Sequence, residues 1–398
     1  MRRVLWGKVL AAWIALWGAS GALAHTPAPP PAVTAKPALS GCQTVAGSID
    51  FDFEGASRST CYVEDERTLS VLITPEHAPP INPSPWYAFR YKAVGEAQLT
   101  VHVRYHGARH RYAPKWRGQG DPAKLSMVVA SDGNMLSITL PPGEGIVSAQ
   151  PMMTAAHYQQ LLNQIAAMGA GKRLTLGHSH DGRPVDAVHL GKEDAPHLVV
   201  LIGRQHPPEV TGAVAMDAFS LKIAELLRLG TIDGKRFQFL IVPLLNPDGV
   251  ARGHWRANLG GVDLNRDWGP FAQPETRAVR DWLAQLPAGV KPALMLDFHS
   301  TSRNLFYVQG TEASEQGKRF LAGWLAGKEA SYAGYPFLIE PRDANPGSGT
   351  TKNWFNKNYD IPAYTYEVGD ETDLAAVRGA AEALAQTVIP ALEAAAHP

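Results

Sequence analysis

The pattern of apolar and polar positions changes character near residue 143. Upstream, from about 41 to 142, apolar residues come in short runs: Val71-Leu72-Ile73, residues 86–91 and residues 99–105 are rich in β-branched and aromatic side chains. Such residues suit a pleated, half-buried surface. Residues 126–130 and 135–140 flank Ser131-Asp132-Gly133-Asn134, a hairpin signal. Evenly spaced strands with turns between them predict a small all-β sandwich without a catalytic cluster of its own. Pro141-Pro142-Gly143-Glu144-Gly145 reads as its boundary.

Downstream the periods lengthen. Residues 155–168 place Tyr158, Leu161, Leu162 and Ile165 on one helical face. Residues 174–176 and 185–190 flank the turn Asp181-Gly182-Arg183-Pro184. A buried strand at 198–202 then precedes a helix over about 212–227. Strands follow at 237–245, 294–298 and 363–367, and a helix over 374–395 closes the chain. Strands alternating with helices predict an α/β domain whose mainly parallel sheet is covered on both faces.

The first 24 residues do not fit this pattern. Arg2, Arg3 and Lys8 precede a wholly apolar run at 9–17, and Ala22-Leu23-Ala24 is a cleavage signature, so they read as a secretory signal. The apolar run is short for the rival reading, a membrane anchor. A proline-rich tether follows, and the expected organisation is a signal over 1–24, a linker over 25–40, a β-sandwich over 41–150 and a catalytic α/β domain over 151–398. The mature protein is expected in the periplasm or outside the cell, without stable membrane insertion. Its 37 basic and 37 acidic residues balance, so bulk charge points to neither nucleic acid nor an anionic surface. The two cysteines, Cys42 and Cys61, are expected to pair between neighbouring strands after export. Any metal in the second half must then be held by His, Asp or Glu.

Candidates for that role stand at strand ends. The strand at 198–202 opens into Gly203-Arg204-Gln205-His206-Pro207-Pro208-Glu209. Asn246-Pro247-Asp248-Gly249 follows the next strand, Arg256 precedes Asn265-Arg266 by nine residues, Asp297-Phe298-His299 ends the strand at 294–298, and Glu367 ends the last. In a parallel sheet these carboxyl ends share one edge and can converge. His206, Glu209 and His299 offer a zinc ion three ligands and an open position. Glu367 can take a proton from water, Arg256 can stabilise a developing oxyanion, and Asn265 with Arg266 can grip a carboxylate. Asp297 shares a face of its strand with His299, placed either to orient it or to cap a helix. His102, His106, His110, His178 and His180 read as solvated. Trp255, Trp268, Trp282 and Trp354 read as core or pocket wall.

Taken in order, these motifs over residues 155–395 resemble the M14 family of zinc carboxypeptidases, and within it the cytosolic-carboxypeptidase branch; Asn82-Pro83-Ser84-Pro85-Trp86 resembles the front domain of that branch. The resemblance implies a three-layer α/β/α domain with a mixed eight-stranded sheet behind the β-sandwich, and one zinc ion per chain on His206, Glu209 and His299. It implies Arg256 as carbonyl polariser, Asn265 and Arg266 as carboxylate binders and Glu367 as general base. Pro208 stands where family members often carry an arginine, and Tyr335 is a candidate for the family's substrate-capping tyrosine. Lys352, fifteen positions before Glu367, falls where the family sets specificity, and a cation there favours an acidic C-terminal residue. The expected function is an exported carboxypeptidase acting on peptides, muropeptides included. Rival readings are a deacylase or amidase of N-acyl amino acids or γ-glutamyl linkages, and a non-catalytic peptide binder on the same fold.

Overall fold

Alternating burial carries the first half of the chain into two sheets. In β6 (Leu99–Tyr105) every second side chain is buried, and β9 (Met135–Leu140) buries Leu136, Ile138 and Leu140. Each such aliphatic side chain contributes roughly 1.5–3 kcal/mol on burial. With β3 (Ser59–Val63), β4 (Thr68–Ile73) and β8 (Ser126–Val129) they form a five-stranded sheet in the order β3-β4-β6-β9-β8. The facing sheet runs β1-β2-β5-β10-β7, from β1 (Cys42–Gln43), β2 (Gly47–Asp50), β5 (Ala88–Ala93), β7 (Lys115–Gly118) and β10 (Gly143–Ser148). The computed structural model describes residues 41–57, 59–95, 98–119, 125–342 and 348–397. The signal and tether expected over 1–40 lie outside these. Glycines 143 and 145, expected at a boundary, sit inside β10 instead. Cys42 and Cys61 form a disulfide with Cα atoms 5.7 Å apart. It staples β1 to β3, which belong to opposite sheets, not to neighbouring strands.

The second half is an α/β/α sandwich around an eight-stranded sheet in the order β11-β12-β14-β13-β15-β18-β16-β17. β13 (His197–Gly203) shows why the sheet is covered twice. Val199 and Leu201 point into one apolar cluster with α1 (Ala155–Gly169), α2 (Val210–Arg228) and α7 (Leu374–Ala396), whereas Leu198, Val200 and Ile202 point into another with α4 (Pro274–Leu283) and α6 (Thr351–Tyr359). The continuous apolar run at 198–202 is that of a strand with no solvent face. The central strands β14 (Phe237–Val242), β13, β15 (Lys291–Thr301) and β18 (Ala363–Gly369) are parallel. β11 (Lys172–His178), β12 (Pro184–Leu190) and β16 (Leu305–Val308) have antiparallel partners, so the sheet is mixed. Short β16 and β17 (Leu338–Pro341), and helices α4, α5 (Glu315–Trp324) and α6, escape the sequence pattern. Among the described residues no helix is long and apolar enough to cross a membrane.

One close approach fixes where α2 starts. A Cβ on Gly212 would lie 2.2 Å from the carbonyl oxygen of His299 and 2.6 Å from its carbon. The first turn of α2 therefore rests on the backbone of β15 at His299, and only glycine fits there. Ser300 Oγ accepts the Gly212 N–H at 2.9 Å, which satisfies an amide the helix cannot. Gly212→Ala is expected to cost about 2–3 kcal/mol by overpacking, read as a shift in the urea midpoint. Gly379→Ala, in α7 with open space around it, should instead gain about 0.5–1 kcal/mol.

Candidate active site

Strand register assembles the site. β13 and β15 pair with Gly203 beside Phe298, and β15 pairs with β18 so that His299 stands beside Glu367. The chain leaving β13 turns at once: Arg204 adopts φ +52°, in the left-handed region. Its guanidinium donates to the Tyr158 hydroxyl at 2.7 Å and to the Pro207 carbonyl, which holds the loop carrying His206. Such a conformation costs roughly 1 kcal/mol or more and persists only where surrounding contacts impose it. Glu209 then precedes α2 directly, and its carboxylate turns to the histidines instead of capping the helix.

His206 Nδ1 lies 2.8 Å from Glu209 Oε1, and His299 Nδ1 lies 2.7 Å from Glu209 Oε2. One ligand atom from each of the three residues lies within 4.8 Å of the others. The outer nitrogens are held from behind: His206 Nε2 is 2.9 Å from Asp263 Oδ1 and His299 Nε2 is 2.8 Å from Asp297 Oδ2. A carboxylate on the outer nitrogen of each imidazole fixes its tautomer and leaves Nδ1, on the Glu209 side, available to a cation. Burial opposes charge on both imidazoles, but the neighbouring carboxylates outweigh it and raise both pKa values. Two imidazoles among Glu209, Asp263 and Asp297 thus form a pocket of negative potential, which fits a divalent cation with nitrogen and oxygen ligands.

Asp263 also accepts from Arg256 Nε at 2.7 Å and from the Asn265 N–H at 2.9 Å. A single carboxylate therefore links a candidate ligand to Arg256 and caps the turn bearing Asn265 and Arg266. Asn265 Oδ1 receives Thr351 N–H at 3.0 Å, and Gln205 Nε2 bridges Asp297 and Thr351 at 2.7 Å each. Asn246 and Asp248 are buried scaffold. Asn246 donates to the Gln205 and Ala257 carbonyls, and Asp248 accepts from Ser179 and Arg183. Glu367 faces the same cavity; its Oε2 makes no hydrogen bond among the described residues. Burial and the nearby Glu209 push its carboxyl up to about 7, against the pull of His299 and His206.

The cavity, about 360 Å³, brings together His206, Glu209, Arg256, Asn265, Arg266, His299, Lys352 and Glu367. Lys352 is buried, and its Nζ donates to the Arg342 carbonyl at 2.9 Å and to the Val308 carbonyl at 3.3 Å. Tyr335 lies elsewhere, fully buried in the core; the tyrosine on the cavity wall is Tyr307, under the Arg342 guanidinium. Three histidines expected in solvent are engaged: His102 with Glu64 at 2.9 Å, His110 with the Tyr105 hydroxyl at 3.2 Å and His180 with Gln273 at 2.9 Å.

Sequence reading missed Arg204, Gln205, Asp263, Glu76 and Arg111. Asp263 gave one signal, its place two residues before Asn265. Glu76 gave none: it lies in the loop after β4, yet its carboxylate accepts the N–H groups of Trp255, Arg256 and Ala257, the last two at 2.9 Å. Glu76, His77 and His254 also lie close enough to one another to hold a cation. Both Glu76 oxygens already serve backbone amides, so this group reads as a clamp.

An α/β/α sheet edge where two imidazoles and a carboxylate converge beside a free glutamate is the frame of a metallopeptidase. Residues 158–387, more than half of the chain, match the zinc carboxypeptidase family model, and the chain belongs to that family, whose metal is zinc. It is 33% identical over 141 residues to an uncharacterised protein of Zymomonas mobilis, a match covering 33% of this chain and 35% of that protein. It is also 33% identical over 123 residues to cytosolic carboxypeptidase 2 of Danio rerio, covering 29% and 16%. The matches thus span about a third or less of these relatives. Among solved structures, a metallo-carboxypeptidase from Burkholderia cenocepacia superposes with a TM-score of 0.71 at 16% identity, covering 88% of this chain and 99% of that one. One from Pseudomonas aeruginosa gives 0.66 at 20% identity, covering 87% and 98%. At such identities the likeness is one of fold, and it takes in the front sandwich as well.

Glu76→Ala removes the acceptor of three amides and is expected to lower the unfolding free energy by about 3 kcal/mol, measured by urea titration. Zinc content should not change, because the clamp is not a ligand.

Proposed function

We propose that the chain is a zinc-dependent carboxypeptidase in which His206, Glu209 and His299 hold the metal. One observation carries this reading: both Nδ1 atoms converge on Glu209 while Asp263 and Asp297 hold both outer nitrogens. When bound, zinc supplies Lewis acidity and lowers the pKa of water. The remaining work falls to the chain. Glu367, ending a strand beside His299 with a raised pKa and a free oxygen, is the group that takes a proton from water and returns it to the leaving amine. Arg256, steadied by Asp263 and by Glu76 behind its backbone, aims a guanidinium at the carbonyl oxygen as charge develops there. Asn265 and Arg266 bind the terminal carboxylate, which confines cleavage to the last peptide bond. Lys352, with Arg342 nearby, favours an acidic C-terminal residue.

Export completes the reading. A signal over 1–24 and a linker over 25–40 lead into a sandwich over 41–150 and a catalytic domain over 151–398. The Cys42–Cys61 disulfide supports a destination in the periplasm or outside the cell, where muropeptides and other acidic peptides are the available substrates. An N-acyl amino acid carries the same terminal carboxylate, so Asn265 with Arg266 alone would also serve an amidase; the complete set of Arg256, Asn265 and Arg266 in a chain of the zinc carboxypeptidase family is what favours peptides.

Glu367→Gln is expected to lower kcat by about 10²–10⁴-fold while zinc, measured by atomic emission, stays bound. Peptides differing only in their last residue test Lys352: in Lys352→Ala the ratio of kcat/KM for C-terminal Glu over Leu should fall at least about 10-fold. An unchanged ratio removes Lys352 from specificity. Mass spectrometry of peptide and muropeptide digests should show loss of C-terminal residues alone, and turnover of C-terminally amidated peptides would favour the amidase.

A further inference from the structure

Arg111 belongs to the front sandwich, in the segment between β6 and β7, yet its guanidinium lines the same cavity as His206, Glu209 and Arg256. Its Nε donates to Asp370 Oδ2 at 2.9 Å and its Nη2 lies 2.8 Å from the same oxygen, just beyond the end of β18. Its guanidinium carbon lies 5.0 Å from the Trp255 ring centroid and 5.1 Å from that of Tyr112. Lys115 and the Ala113 N–H bind Glu371 beside it, so the segment is strapped down on both sides of the guanidinium. The ion pair is asymmetric: the Asp370 side chain is 6% exposed and that of Arg111 is 31%. The carboxylate lies behind and the guanidinium in front. Nη1 makes no hydrogen bond among the described residues. A guanidinium pinned at one edge, stacked against aromatic rings and open on the other edge is preorganised for a carboxylate.

Its place relative to the substrate follows from Trp255. Under the reading above, on which this inference rests, Arg256 holds the reacting carbonyl, which belongs to the penultimate residue. Arg111 packs on Trp255, the chain neighbour of Arg256. Lys352 sits on other elements, its ammonium donating to the Val308 and Arg342 carbonyls. Two cations held by separate elements can serve two different substrate residues. We propose that Arg111 is a specificity-determining residue that receives an acidic side chain from the residue upstream of the scissile bond, so that the front sandwich completes the substrate site.

The test uses the zinc-loaded full chain and two probes, acetyl-Ala-Glu-Glu and acetyl-Ala-Gln-Glu, which differ only upstream of the scissile bond. Wild type should prefer the first at least about 10-fold in kcat/KM, Arg111→Lys should keep part of that preference, and Arg111→Gln should bring the ratio to about 1. Arg111→Gln with Asp370→Asn leaves no unpaired buried carboxylate and decides the matter where the single variant loses its fold or its zinc. Affinities for both peptides, measured by calorimetry on the Glu367→Gln background, should follow the same ratios. If the wild type shortens neither peptide, the carboxypeptidase reading fails, and the calorimetric ratio still judges Arg111. No wild-type preference, or one that survives loss of the guanidinium, makes Arg111 a clasp between domains and overturns the proposal.

Discussion

Register across β13, β15 and β18 is the constraint on which the site depends. His299 stands beside Glu367 in the ladder, and the turn after Gly203 brings His206 and Glu209 to the same edge. A slip of one residue would turn His299 to the opposite face of the sheet. The apolar clusters on both faces prevent that, since it would expose Leu296 and Phe298 to the wrong layer. Gly212 adds a second lock by seating α2 on the His299 backbone. Core packing and ligand geometry are therefore one problem solved once.

Around that edge, carboxylates position the groups that would do chemistry. Asp263 joins His206 to Arg256, Asp297 joins His299 to Gln205, and Gln205 reaches the start of α6 through Thr351. Buried charges of this density are costly unless every one is paired, and here each meets an imidazole, a guanidinium or an amide. Among these carboxylates, Glu367 Oε2 and Asp297 Oδ1 are the oxygens left open. The front sandwich belongs to the same network through Glu76, behind the backbone of Arg256. Trp255, set between the sandwich core and the cavity, carries the contact from one domain to the other.

Much of this was legible in the residues. The apolar run at 198–202 and the helical face of Tyr158, Leu161, Leu162 and Ile165 were visible because their period is set by burial. His206, Glu209, His299 and Glu367 stood out because polar residues that end apolar strands are exceptional. What stayed hidden depends on contacts between distant segments. Nothing near Glu76 or Arg111 in the chain announces a partner 179 to 181 or 259 residues away, and β16 and β17 are too short to show a period. The disulfide was expected from two cysteines alone, but that it crosses between sheets depends on topology.

The most direct measurement is zinc stoichiometry of the full chain by native mass spectrometry. The account predicts one zinc per wild-type chain, none in His299→Ala or Glu209→Ala, and one in His254→Ala. Zinc retained by His299→Ala, or a second equivalent lost with His254→Ala, would contradict it.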